Sequence, residues 1–136
     1  MSEPETNTFG AYDRVGSSSP QYKCSNSTYA YTVAKGDITY PIALLTADEI
    51  AYAGGIYRQS NSSYYLYTGE SYWTMSPAHL LMGMYAYGNL IDSMGVLVDV
   101  GLVTSVNVLP VISLKNEAEV EKGTGAYNNP YVIKTN

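Results

Sequence analysis

The side chains that could carry chemistry in this sequence are few, and most of them stand between positions 76 and 99. His79 is the single histidine and Cys24 the single cysteine, while Ser76, Ser93, Asp92 and Asp99 are the nearest partners that spacing offers. A Ser-His-Asp relay would have to pass through His79, yet no Gly-x-Ser-x-Gly frame surrounds either serine, so nucleophilic catalysis lacks its motif context. His79 has no metal-binding partner at helical or strand spacing, and a lone thiol forms neither an internal disulfide nor a cysteine cluster for zinc. Asp92 and Asp99 with loop carbonyls are compatible with calcium, but that pattern has no specificity. Gly54-Gly55 closes a helix instead of opening one, so it does not cradle a phosphate. The expectation is a chain that is not an enzyme and has no cofactor and no resident metal.

The elements that must position these groups are legible in part. Over residues 39–55, Thr46 stands three positions before Glu49, which predicts a capping box and a helix over 46–53, with Gly54 as its left-handed stop. Tyr40-Pro-Ile-Ala-Leu-Leu45 before it reads as an edge or entry strand. Short strands are expected over 21–23, 28–33 and 64–67, and Trp73 is read as a buried indole with its N–H paired. Residues 78–109 break at Asn89, at Asp92-Ser-Met-Gly95 and near Gly101. They divide into antiparallel meander strands over about 84–90, 96–100 and 102–106, with His79 in a loop before them. Alternation puts Val96, Val98 and Val100 on one face and Leu97 with Asp99 on the other, which its acid marks as the wetter. Pro110 to Leu114 is the last core strand, the glutamates of 116–122 are solvated, and Tyr131 to Ile133 is a terminal strand expected to pair near the amino-terminal strands. Residues 1–19 read as a loosely held lead-in and 20–136 as one domain.

Composition excludes further classes. The net charge is -5 with only 7 Lys and Arg, and these do not cluster, so nucleic acid is not an expected partner. No apolar run reaches the roughly 20 residues of a membrane span, and Met1-Ser-Glu-Pro-Glu-Thr is not expected to act as a signal peptide. Tyrosine numbers 15, which suits either sheet surfaces or a binding surface.

Several stretches together resemble a known family. Pro41-Ile-Ala-Leu-Leu-Thr-Ala-Asp-Glu-Ile-Ala-Tyr-Ala-Gly-Gly55, Tyr64-Tyr-Leu-Tyr-Thr-Gly69, Tyr72-Trp-Thr-Met-Ser-Pro77, Asn107-Val-Leu-Pro-Val-Ile-Ser-Leu114 and the closing Asn129-Pro-Tyr-Val-Ile133 stand in this order. They are similar to segments of a domain family of unknown function from gut bacteria and their phages, of the formylglycine-generating-enzyme type of C-type lectin fold. The resemblance implies an α+β, C-type lectin-like fold with one or two short helices and twisted antiparallel strands. It does not carry the oxidase chemistry, because the paired cysteines of formylglycine-generating enzymes have no counterpart after Cys24; a degenerate sulfatase-modifying-type enzyme is the enzymatic alternative. Such folds also serve as the variable proteins of diversity-generating retroelements, where adenine mutagenesis of an Asn codon cannot produce Lys, Glu, Gln, Met or Trp; residues 78–109 lack Lys, Glu, Gln and Trp, and Met82, Met84 and Met94 would have to be fixed positions.

The function expected on this basis is non-enzymatic ligand binding or display of a protein or glycan ligand, at a cell surface or virion reached through a carrier protein. The candidate binding residues are His79, Leu80, Leu81, Tyr87, Asn89, Ile91, Asp92, Leu97 and Asp99. The structural alternative is an assembly module, a homo-oligomer whose Val and Leu strands bury against a neighbour. At Leu109 the family usually has arginine, and the loss of that cation removes whatever ion pair it makes.

Overall fold

In the computed structural model the described residues are 6–22, 39–112, 114, 117–125 and 128–134. The fold is mostly β, 39% strand against 13% helix, built on a curled half-barrel sheet. The expectation of an α+β, C-type lectin-like domain is therefore corrected. The capping-box helix is real but only seven residues long, and the chain between 72 and 101 is given over to strand.

The main sheet is a meander of β4 (Tyr72–Leu81), β5 (Tyr85–Ile91) and β6 (Val96–Gly101), paired antiparallel. β1 (Thr6–Thr8) lies against the end of β4, and β3 (Ile56–Tyr57) runs parallel beside the start of β6. β7 (Asn107–Val108) pairs parallel with the start of β4. β2 (Ile42–Leu44) with β8 (Pro110–Ile112), and β9 (Val120–Lys122) with β10 (Val132–Ile133), form two small separate sheets. The terminal strand thus pairs with β9, not with the amino-terminal segment.

Two turns shape the meander. The β4–β5 hairpin closes through Met82 and Gly83, both with positive φ (53° and 66°), and the Met84 amide donates to the Leu81 carbonyl at 3.1 Å. That is the primed geometry whose twist matches a hairpin, and methionine occupies a position that favours glycine or asparagine. Between β5 and β6, Asp92 Oδ1 accepts from the Met94 and Val96 amides at 2.8 and 2.9 Å. Gly95 follows with φ 75°, and a Cβ there would sit 2.0 Å from the Asn61 carbonyl oxygen, so only glycine fits.

Helix α2 (Ala47–Ala53) begins as its sequence dictates. The Glu49 amide donates to Thr46 Oγ1 at 3.2 Å, the Thr46 amide donates to Glu49 Oε2 at 2.7 Å, and Gly54 ends the helix at φ 116°. Helix α1 (Gly10–Gly16) lies inside the segment read as a loose lead-in. Its start has no side-chain cap and glycine stands at both ends, so local propensity is weak. Tertiary contacts supply what propensity does not. Val15 is buried, and Arg14 grips Asp48 of α2 through Nε to Oδ1 at 2.8 Å and Nη2 to Oδ2 at 2.7 Å.

Both helices cover one face of the meander. Val15, Ala47 and Ile50 pack against Tyr72, Ile91 and Leu97, with Tyr64 filling the side of the cluster. Full burial of residues such as Ile50, Ile91 and Leu97 contributes about 2 kcal/mol each. The Leu97 and Asp99 face is thus the buried one, opposite to the sequence reading. The sign follows from the helices, which cover that side, and an acid is tolerated there because it has partners. Tyr64 sits in a turn, not a strand, and Leu102 begins a turn where a third meander strand was expected. Trp73 is half-buried on the outer face, lying with Leu102 over Gly88, where a Cβ would come within 3.1 Å of the indole and 2.9 Å of the leucine. The strand expected over 28–33 and Cys24 lie outside the described residues.

Candidate functional site

At the far end of the inner face the meander turns from apolar to polar, and side chains from α1, β3, β4 and β5 gather in one cluster with Asp99 of β6. The parallel register sets Tyr57 beside Leu97, so the phenol reaches the acid two residues further along β6. Its hydroxyl donates to Asp99 Oδ1. Arg58 follows in the left-handed region at φ 56°, its amide donating to the Leu97 carbonyl at 2.9 Å. Its guanidinium stands 5.1 Å from the Tyr57 ring centroid and 3.4 Å from Asp99 Oδ1. A non-glycine residue held at positive φ beside an acid is the kind of strain that collects at functional positions.

β4 delivers His79 after an irregularity in its pairing with β5, which turns both Ala78 and His79 inward. The imidazole stacks on Tyr87 across the ladder, with centroids 4.3 Å apart and planes at 15°. Tyr12 of α1 meets its edge at 5.3 Å and the Tyr57 ring at 5.7 Å. His79 Nδ1 lies 3.8 Å from Asp99 Oδ2, beyond hydrogen-bond reach, and this buried nitrogen has no partner. Burial, then the hydrogen bond to Asp99 and the neighbouring Tyr12, push the Tyr57 phenol far above its ordinary value, so it stays protonated and remains the donor. The product is a carboxylate 8% exposed, bordered by Tyr57 and His79 of a four-ring cluster, with one exposed cation at its rim. Tyr57 also lines a cavity of about 220 Å³ between α1 and α2, bounded by Val15, Ser18, Pro20, Ala51 and Gly55.

The structure brings together three of the residues named from sequence: His79, Tyr87 and Asp99. His79 is in a strand, not a loop. Asn89, Ile91 and Leu97 are fully buried and form part of the core face. Asn89 Nδ2 donates to the Ser76 and Pro77 carbonyls while its Oδ1 has no partner. Asp92 is consumed by its own turn, and Leu80 and Leu81 are half-buried against β1. Ser76, a nucleophile candidate, accepts the Ala47 amide at 3.0 Å at the start of α2. Among the described residues no group of three or more His, Cys, Asp or Glu is arranged to hold a metal. Sequence reasoning missed Tyr12, Tyr57 and Arg58. No local pattern announces them, since they join Asp99 only through the β3–β6 register and the docking of α1.

The outer face of the same meander is of another character. Trp73, Met75 and Pro77 of β4, Gly88 and Leu90 of β5, and Val96, Val98 and Val100 of β6 carry no charge; Met75 and Pro77 are exposed, Trp73 and the valines half-buried, and Gly88 and Leu90 buried beneath them. Around them Leu102 is 58%, Val103 97% and Val108 64% exposed. No helix among the described residues is long and apolar enough to cross a membrane. In comparisons with family models, curated proteins and solved structures, the chain has no match.

Proposed function

We propose that this chain is a non-enzymatic binding and display module that engages a protein partner through the outer face of β4, β5 and β6. The observation that carries this reading is the character of that face, which is apolar across three strands while both helices stand on the opposite side. An antiparallel sheet ordinarily offers water a polar face, and a contiguous exposed apolar area marks an interaction surface. Diversification of residues 78–109, as in retroelement variable proteins, would act on Val98, Val100, Leu102 and Val103, leaving the buried Asn89, Ile91 and Leu97 constant.

The test is light scattering after size-exclusion chromatography, with binding of an apolar fluorescent dye, for the wild type and the double variant V98E/L102E. A display module is a monodisperse monomer that binds the dye, and the variant loses that binding while keeping its circular dichroism. A stable oligomer that the variant dissociates would replace free display with the assembly reading.

A further inference from the structure

We propose that the aromatic cluster around Asp99 is a receptor for a guanidinium or alkylammonium group, and that Arg58 is its resident occupant, displaced when a ligand cation arrives. The site is separate from the outer face, and the inference does not rest on the function proposed above.

The acid is short of donors. Asp48, the other buried carboxylate near α1, receives the Arg14 Nε and Nη2 at 2.8 and 2.7 Å and the Gln21 amide at 2.8 Å, so both its oxygens are engaged. At Asp99 the Tyr57 hydroxyl and the Arg58 contact both fall on Oδ1. Oδ2 receives no hydrogen bond among the described residues, and faces the unpartnered His79 Nδ1 across 3.8 Å. A tyrosine donor neutralises no charge, and an arginine 64% exposed at 3.4 Å neutralises little.

The walls suit a cation. Tyr57 and His79 border the carboxylate, Tyr87 stacks on His79, Tyr12 meets Tyr57 and His79 edge-on, and Arg58 already uses the face of Tyr57 at 5.1 Å. Arg58 thereby shows what the site accepts, yet it sits at the rim in a strained backbone conformation, with its side chain largely in water. A ligand guanidinium or ammonium reaching Oδ2 gains what Arg58 does not supply, and the chain's net charge of -5 draws such groups toward it.

The experiment titrates wild type, R58G and D99N with N-acetyl-arginine amide, N-acetyl-lysine amide and a short arginine-containing peptide, reading the His79 and Tyr87 ring protons by NMR. R58G suits the left-handed position and removes the resident cation, so its affinity for the arginine probe should rise about tenfold over wild type. D99N should abolish saturable binding; if it does not fold, Y87L should weaken it in its place. A saturable response to the amides assigns the site to small cationic ligands, and a response to the peptide alone assigns it to a partner's side chain; either supports the proposal. No saturable response in R58G, with its circular dichroism unchanged, overturns it.

Discussion

Asp48 and Asp99 are the same residue type at nearly the same burial, their side chains 6% and 8% exposed, and the fold treats them in opposite ways. Asp48 stands on α2 and faces a forked guanidinium that reaches both oxygens, with a backbone amide added. Its charge is answered, and it joins α1 to α2. Asp99 is wedged among rings, holds one phenol closely and one guanidinium loosely, and leaves an oxygen facing a histidine nitrogen that does not bond to it. Burial alone therefore does not distinguish a structural acid from one available for recognition. The completeness of its donor set does.

Substitutions sharpen this contrast, and the largest effect belongs to Asp48. Arg14→Ala removes one partner of a buried pair and leaves a carboxylate in the interior, which should lower stability by about 3 kcal/mol in urea unfolding. Arg58→Ala removes an exposed partner and should change stability by less than about 1 kcal/mol in the same assay. Equal losses would break the comparison and make the Asp99 pair a structural clamp as well.

Alkaline pH should act on the buried phenols, one of which binds Asp99. Burial raises the phenols of Tyr57, Tyr64 and Tyr72 above their ordinary value of 10.0. The unfolded chain gives up these protons near that pH while the native state keeps them, so the unfolded state binds fewer protons above it. The contribution of these phenols to stability is then constant below about pH 10 and falls as the pH climbs beyond. Tyr57→Phe should make that fall shallower in unfolding curves taken at pH 8 and pH 11, and an unchanged slope would show that the Tyr57 environment is open to water.

A modest effect is expected at the start of α2. Thr46→Ala removes the hydroxyl half of the capping box and should cost about 1 kcal/mol. Because this loosens the helix that carries Asp48, it should reduce stability without changing cation binding at Asp99. A parallel loss of both would show that the two acids are coupled.

The elements differ in how far they could be read in advance. The capping box of α2, its glycine stop and the β5–β6 turn were legible, because each is closed by partners within a few residues: Thr46 with Glu49, and Asp92 with Met94 and Val96. The alternation of β6 was legible as a period of two, but its sign was not. Leu97 and Asp99 share a face that an acid made look wet, and the helices made it the interior. The candidate site was legible only where it falls on the meander, at His79, Tyr87 and Asp99.

What the sequence by itself determined, then, is everything decided by neighbours along the chain: one helix, its ends, the strand period, and a middle segment poor in charge. Tertiary structure decided the fold class, the existence of α1, which lacks a cap and stands because Arg14 and Val15 find partners on other elements, and the wall around Asp99. Tyr57 and Arg58 reach that acid, and Tyr12 reaches the rings beside it, from far away in the chain, through a parallel strand register and a helix docked across it. Local hydrogen bonds leave their signature in a short window of residues. A contact closed across some forty positions leaves none.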